Sequence, residues 1–105
     1  MDLKLKGKII IVTGGSKGIG YGICERLILE GAIPVIIGRN KETIPKALKE
    51  LEKLGGKAGV AYAELTDPDQ CKLAVDKIIQ DYGTIDGLVN NAGINDSISL
   101  SEGSF

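Results

Sequence analysis

The chain has no histidine. That excludes a Ser/His/Asp or Cys/His nucleophilic arrangement, in which an imidazole must take the nucleophile's proton. It also argues against a metal site. An excess of one charge is missing too: 13 lysines and arginines stand against 14 acidic residues, for a net charge of −1. Such a balance gives no electrostatic footing on nucleic acid or an anionic membrane, so neither is an expected partner. No apolar run outlasts Ile9–Val12, which is far too short to span a bilayer. The start, MDLKLKGK, has no apolar h-region, and no secretory signal is expected. There are two cysteines, Cys24 and Cys71, far apart and both in helical patterns. They read as small buried thiols in a reducing compartment, and the expected location is cytoplasmic.

What is present is an ordinary globular mix of 43% hydrophobic and 26% charged residues over 105 positions. That is enough for one small domain or part of a larger one. Ile9–Val12, ending at Thr13, is a continuous β-branched run, as expected of a strand buried on both faces of a parallel sheet. Ile19, Ile23 and Leu27, with Cys24 and Ile28 beside them, predict a helix with one apolar face, closed by Gly31. Val35–Ile37, led in by Pro34, predicts a second strand. Ile44, Ala47, Leu48, Leu51 and Leu54 predict a second helix, ended by Gly55 and Gly56. Ala58–Leu65 predicts a third strand, weakened by Gly59. Asp67-Pro68-Asp69-Gln70 reads as an N-cap, a proline at N1 and a capping-box partner at N3. Cys71, Ala74, Val75, Ile78 and Tyr82 predict the buried face of a third helix, closed by Gly83, and Leu88–Asn90 the core of a fourth strand. The order β-α-β-α-β-α-β argues for an α/β, doubly wound parallel sheet of the Rossmann type. No repeat, linker or low-complexity segment appears before residue 93.

The stretch VTGGSKGIGYG, Val12–Gly22, carries five glycines where a helix should begin. In a doubly wound sheet this turn lies at the carboxyl end of the first strand, where ligands bind. The helix N-terminus there offers unpaired N–H groups and partial positive charge, suited to a pyrophosphate. Gly14 would permit the tight turn, Gly18 the approach of phosphates, and Gly20 close packing of helix on strand. Each glycine costs about 1 kcal/mol against alanine in a helix, a cost that such access would offset. The same glycines also fit a tight turn with no ligand. The common G-x-G-x-x-G fingerprint is not met, because Ile23 takes its third glycine position.

The pattern that does stand is Thr13-Gly14-x-x-x-Gly18-Ile19-Gly20, with Asn90-Asn91-Ala92-Gly93 directly after the fourth strand. In these two motifs the chain resembles the short-chain dehydrogenase/reductase family, over Lys6–Gly93. The stretches EGAIPVIIGRN, AELT and DGLVNNAGIND are similar to a branch of L-fucose dehydrogenase-like sugar dehydrogenases. A 3-oxoacyl-carrier-protein reductase-like member is the alternative. The resemblance implies that Gly14, Ser16, Lys17, Gly18, Ile19 and Gly20 line a diphosphate and ribose. It also implies that the residue ending the second strand selects the cofactor. Gly38 stands where the family's NAD-type Asp usually sits, followed by Arg39-Asn40. An arginine suits a 2′-phosphate, so NADP is the expected cofactor, with NAD as the alternative. Arg39 could instead be a solvated loop residue, and Lys17 need not discriminate. Glu64-Leu65 would clamp adenine, with Glu64 longer than the usual Asp. Asn91, Ala92 and Gly93 would pass the adenine ribose, and Asn90 would help tie the sheet. Asp86 reads as a structural carboxylate.

The family's chemistry moves a hydride between a nicotinamide and an alcohol or ketone, using a serine and a Y-x-x-x-K helix. Tyr21, Tyr62 and Tyr82 are followed four residues on by Glu25, Thr66 and Asp86, so none fits. Residues 1–105 are therefore expected to be the N-terminal part of a single dinucleotide-binding domain, with four strands and three helices, without the catalytic half and without turnover. No catalytic or metal-ligating residue is assigned. The parent is expected to be a homo-oligomer acting on a small-molecule alcohol or ketone. A stand-alone nucleotide-binding module and a truncated reading frame without function are the other readings of the chain.

Overall fold

The run Ile9–Val12 sits at the centre of the molecule. Strand β1 (Ile9–Thr13) is buried at every position. It pairs in parallel with β2 (Ile33–Gly38) on one side and β4 (Gly87–Asn90) on the other. Strand β3 (Gly59–Tyr62) pairs in parallel with β2, giving the order β3-β2-β1-β4. Three helices connect the strands: α1 (Gly18–Leu29), α2 (Thr43–Glu52) and α3 (Pro68–Tyr82). The structure, a computed structural model, describes residues 3–91. Ala92 and Gly93, both assigned above to the site, lie outside the described residues.

Alternation along the strands builds two cores. Ile9, Ile11, Val35, Ile37, Ala61 and Ala63 face Cys71, Ala74 and Ile78 of α3. Ile10, Val12 and Ile36 face Cys24 and Ile28 of α1 and Ile44, Ala47 and Leu51 of α2. Connection handedness explains the split. The chain steps from β1 to β2 to β3 in one direction, then returns past β1 to β4. Right-handed crossovers in opposite directions must place their helices on opposite faces. The doubly wound parallel sheet read from the element order is the observed fold.

Five local expectations differ from the structure. The buried stripe of α1 is Gly20-Cys24-Ile28, while Ile19 is 78% exposed; at closest approach the helix presents a residue with no side chain. Strand β3 is shorter than Ala58–Leu65. The Ala63 N–H still donates to the Gly38 carbonyl at 2.8 Å, but the Glu64 N–H turns to the Gln70 side chain. Helix α2 ends before Leu54, and Tyr82 and Leu54 are exposed rather than buried. Asp67 caps α3, accepting from the Asp69 and Gln70 N–H groups at 3.0 and 3.3 Å. Gln70, however, does not return the bond to the cap's backbone; its Oε1 accepts from the Glu64 N–H at 2.8 Å. Both cysteines are free and buried, as expected.

Candidate functional site

Parallel strands put all their carboxyl ends at one edge. The order β3-β2-β1-β4 then lines up four loops side by side, carrying Glu64-Leu65, Arg39-Asn40, Gly14–Gly20 and Asn91. Every assigned residue that lies within residues 14–91 is thus at this edge. Two hydrogen-bond sets fix its frame. Buried Thr13 donates from Oγ1 to the Asn90 Oδ1 at 3.1 Å and to the Val89 carbonyl at 3.4 Å, so Asn90 ties β4 to β1. At the other end of β1, the Ile9 N–H donates to the Asp86 carboxylate at 2.8 Å. The Asp86 N–H answers to the Ile9 carbonyl at 2.8 Å. Asp86 is structural.

The glycine turn has a packed half and an open half. A Cβ on Gly20 would overlap the Gly14 carbonyl oxygen and lie 2.8 Å from the Asn91 Nδ2. The Asn91 amide itself reaches that carbonyl at 3.5 Å. Gly20 thus packs on the turn that leaves the strand. Gly15, an unassigned position in the motif, is also constrained, though by side chains rather than backbone: a Cβ there would meet Ile36 Cγ1 at 2.9 Å and Cys24 Sγ at 3.0 Å. Its neighbour across the sheet, Ile36, cannot be inferred from a motif. Gly18, by contrast, has φ +62° and nothing within 4 Å of a Cβ. The backbone there needs glycine for its left-handed conformation and faces free space. Lys17, at the N-cap, makes no side-chain capping bond. The first-turn N–H groups of a helix have no intrahelical acceptor. The open half therefore fits a phosphate group held on the helix N-terminus. Beside it, Ser16, Lys17, Gly18, Tyr21, Thr43 and Lys46 line part of a groove of about 390 Å³ between α1 and α2. The Thr43 Oγ1 donates to the Ser16 Oγ at 3.3 Å across it. Ile19, which follows Gly18 in α1, is 78% exposed.

Arg39 and Glu64 meet directly, Nη1 to Oε1 at 2.6 Å. The Thr66 N–H leads in holding the Glu64 carboxyl below its ordinary pKa, against a push upward from burial, and the Arg39 guanidinium adds to the lowering. Asn40 serves the backbone beside it, where its Oδ1 accepts from the Glu42 and Thr43 N–H groups, both at 2.9 Å. Those two bonds hold the turn that leads into α2. Leu65 is half-buried and packs against the α3-side core. Among the described residues, no group of three His, Cys, Asp or Glu side chains could hold a metal. No helix among them is long and apolar enough to cross a membrane.

The chain has relatives among known proteins. The short chain dehydrogenase family model matches residues 8–104. A 3alpha-hydroxysteroid dehydrogenase from Mediterraneibacter gnavus is 38% identical over 102 residues, 95% of this chain and 41% of its own length. The 3-oxoacyl-acyl-carrier-protein reductase FabG of Thermotoga maritima is 41% identical over 92 residues, 88% of this chain and 37% of its own. L-Sorbose reductase from Gluconobacter frateurii, in a crystal structure with NADPH and L-sorbose, superposes with a TM-score of 0.82 at 31% identity. The match covers 99% of this chain and 40% of that one. The chain spans about two fifths of the length of the curated relatives it matches. With the glycine turn, the Asn90-Asn91 strand end and the family match over nearly its whole length, this chain belongs to the short chain dehydrogenase family.

Proposed function

We propose that residues 1–105 are the N-terminal, dinucleotide-binding part of an NADP(H)-dependent oxidoreductase of alcohols and ketones. The observation that carries this reading is the open half of the glycine turn, Gly18 at φ +62° with free space above it at the start of α1. In the proposed site, N–H groups of Gly18, Ile19 and Gly20 take the diphosphate, with Gly14, Ser16 and Lys17 around it. Arg39 and Asn40 stand at the adenosine ribose, and Arg39 supports a 2′-phosphate, with NAD(H) as the alternative. Leu65 and Glu64 flank adenine, and Asn91, Ala92 and Gly93 the ribose beyond. The bound nicotinamide would supply the hydride. The chain's own part is to bind and orient the adenosine end. The relatives' greater length supports a catalytic half beyond this part. The parent is read as homo-oligomeric and cytoplasmic.

For the parent's substrate, a sugar of the L-fucose dehydrogenase-like kind is favoured by the likeness to L-sorbose reductase. The alternative is a 3-oxoacyl-carrier-protein reductase-like parent, supported by the 41% identity to the Thermotoga maritima enzyme. The test is titration of the 105-residue chain with NADPH, followed by nicotinamide fluorescence. The expected result is saturable binding weaker than micromolar, abolished in Gly18→Val, with no turnover of any alcohol or ketone. Turnover by the pure chain would refute the division of labour. Absence of binding at millimolar NADPH would refute the dinucleotide site.

A further inference from the structure

Arg39 and Glu64, proposed for different parts of the adenosine end, hold each other. Arg39 follows β2 and Glu64 follows β3; these strands are neighbours, so the two loops leave the sheet side by side. The Arg39 Nη1 donates to the Glu64 Oε1 at 2.6 Å. The two partners are held unequally. The Arg39 side chain is 78% exposed and the Glu64 side chain 31%. Glu64 is pinned twice more: its N–H donates to the Gln70 Oε1 at 2.8 Å, and its Oε2 accepts from the Thr66 N–H at 3.4 Å. Gln70 is itself fixed to the α3 cap, donating from Nε2 to the Asp67 Oδ2 at 3.3 Å. The carboxylate is the anchored member and the guanidinium the movable arm.

A fixed anion changes what the arginine offers to a second anion. The guanidinium's charge is already offset, and an incoming phosphate dianion also meets the carboxylate. We infer that Glu64 is a specificity residue: paired with Arg39, it weakens selection of a 2′-phosphate over a 2′-hydroxyl, so that NADP(H) is preferred only slightly and NAD(H) is also taken. The inference rests on the dinucleotide reading above and concerns its adenosine end. Glu64 then acts on the 2′ position through Arg39.

The test uses the 105-residue chain, E64Q, R39Q and the double variant. Each is titrated with 2′,5′-ADP and with 5′-AMP, followed by the NMR amide signals of Gly14–Gly20. The readout is the ratio of the two dissociation constants. In the unsubstituted chain the ratio should lie within about threefold of one. E64Q should raise the preference for 2′,5′-ADP by about three- to tenfold at low salt. The gain should shrink toward nothing at about 1 M salt. R39Q should remove it, and in the double variant E64Q should have no further effect. An E64Q ratio that is unchanged or lowered, with 5′-AMP still bound, overturns the inference and leaves the dinucleotide reading standing. A purely structural Glu64 would weaken both ligands together and leave the ratio unchanged. If neither ligand moves the Gly14–Gly20 signals of the unsubstituted chain, the dinucleotide reading fails and this inference with it.

Discussion

Gly20→Ala and Gly22→Ala are the same substitution two positions apart in α1, and they should have opposite signs. At Gly22 nothing lies within 4 Å of an added Cβ. The methyl enters solvent, and the gain is the helix preference of alanine over glycine, up to about 1 kcal/mol. At Gly20 the methyl overlaps the Gly14 carbonyl oxygen and crowds the Asn91 amide. The obstacle is backbone, which cannot swing aside as a long side chain can. Overpacking of this kind costs about 1–3 kcal/mol, and with backbone in the way the upper end applies. Subtracting the same propensity gain leaves a net loss of about 2 kcal/mol. The two variants should therefore differ by about 3 kcal/mol. With a urea dependence of about 1.5 kcal/mol per molar, their unfolding midpoints should lie about 2 M apart. The assay is urea unfolding followed by circular dichroism. Midpoints within about 0.3 M of one another would refute the close approach of α1 to the Gly14 turn.

Three further substitutions or conditions test other parts of the frame. Asp67→Ala removes the acceptor of two α3 N–H groups and should cost about 1 kcal/mol in the same assay, most of it recovered by Asp67→Asn. Asp86→Ala strips the Ile9 N–H of its carboxylate partner, beside a residue that is buried, and should cost about 1–3 kcal/mol. Burial, reinforced by the charge of Glu25, pushes the Cys24 thiol up to about 12. In the unfolded chain a cysteine ionises near about 8.5. The folded state thus keeps a proton that the unfolded state loses, and stability should fall as pH rises from about 9 toward 12, by up to about 1.4 kcal/mol per pH unit. Cys24→Ala should flatten that slope, and an unchanged slope would count against the assignment.

The frame was legible because burial on both faces writes itself into sequence as uninterrupted β-branched runs. Ile9–Val12 and Val35–Ile37 declared two central parallel strands without help from their neighbours. Alternation with helical periods then set the connections, and Asp67-Pro68 marked a helix start in its chemistry alone. The face of α1 was misjudged because counting apolar side chains favours Ile19, whereas the helix approaches the turn most closely at Gly20, where there is none to count. The end of β3 was overrun because Ala63 and Leu65 are apolar and half or fully buried without belonging to the strand. Gly15 was passed over as a variable motif position; what forbids a side chain there is Ile36, twenty-one residues on, which reaches it only through β1–β2 pairing. The Arg39–Glu64 pair was hidden for the same reason, since it exists only once β2 and β3 are laid together.

In the proposed site these contacts divide the glycine turn between folding and binding. Gly15 and Gly20 are pressed against Ile36, Cys24 and the Gly14 carbonyl, and Thr13 is tied to Asn90, so the floor of the site is set by the core before any ligand arrives. Gly18, Lys17, Arg39 and Ile19 project from that floor, exposed. A floor of this kind reduces the ordering cost of binding, because the backbone donors are already positioned. Variation on the rim can then change which ligand is taken without unsettling the fold. The consequence is a separation of readouts. Substitutions at Gly15, Gly20 or Thr13 should register first as lost stability, with ligand affinity falling as a result. Substitutions at Arg39 should change ligand preference at unchanged stability, and Gly18→Val should abolish binding at the cost only of its local left-handed backbone. If Arg39→Gln instead unfolded the chain, the rim would have to be counted as part of the core, and the division would fail.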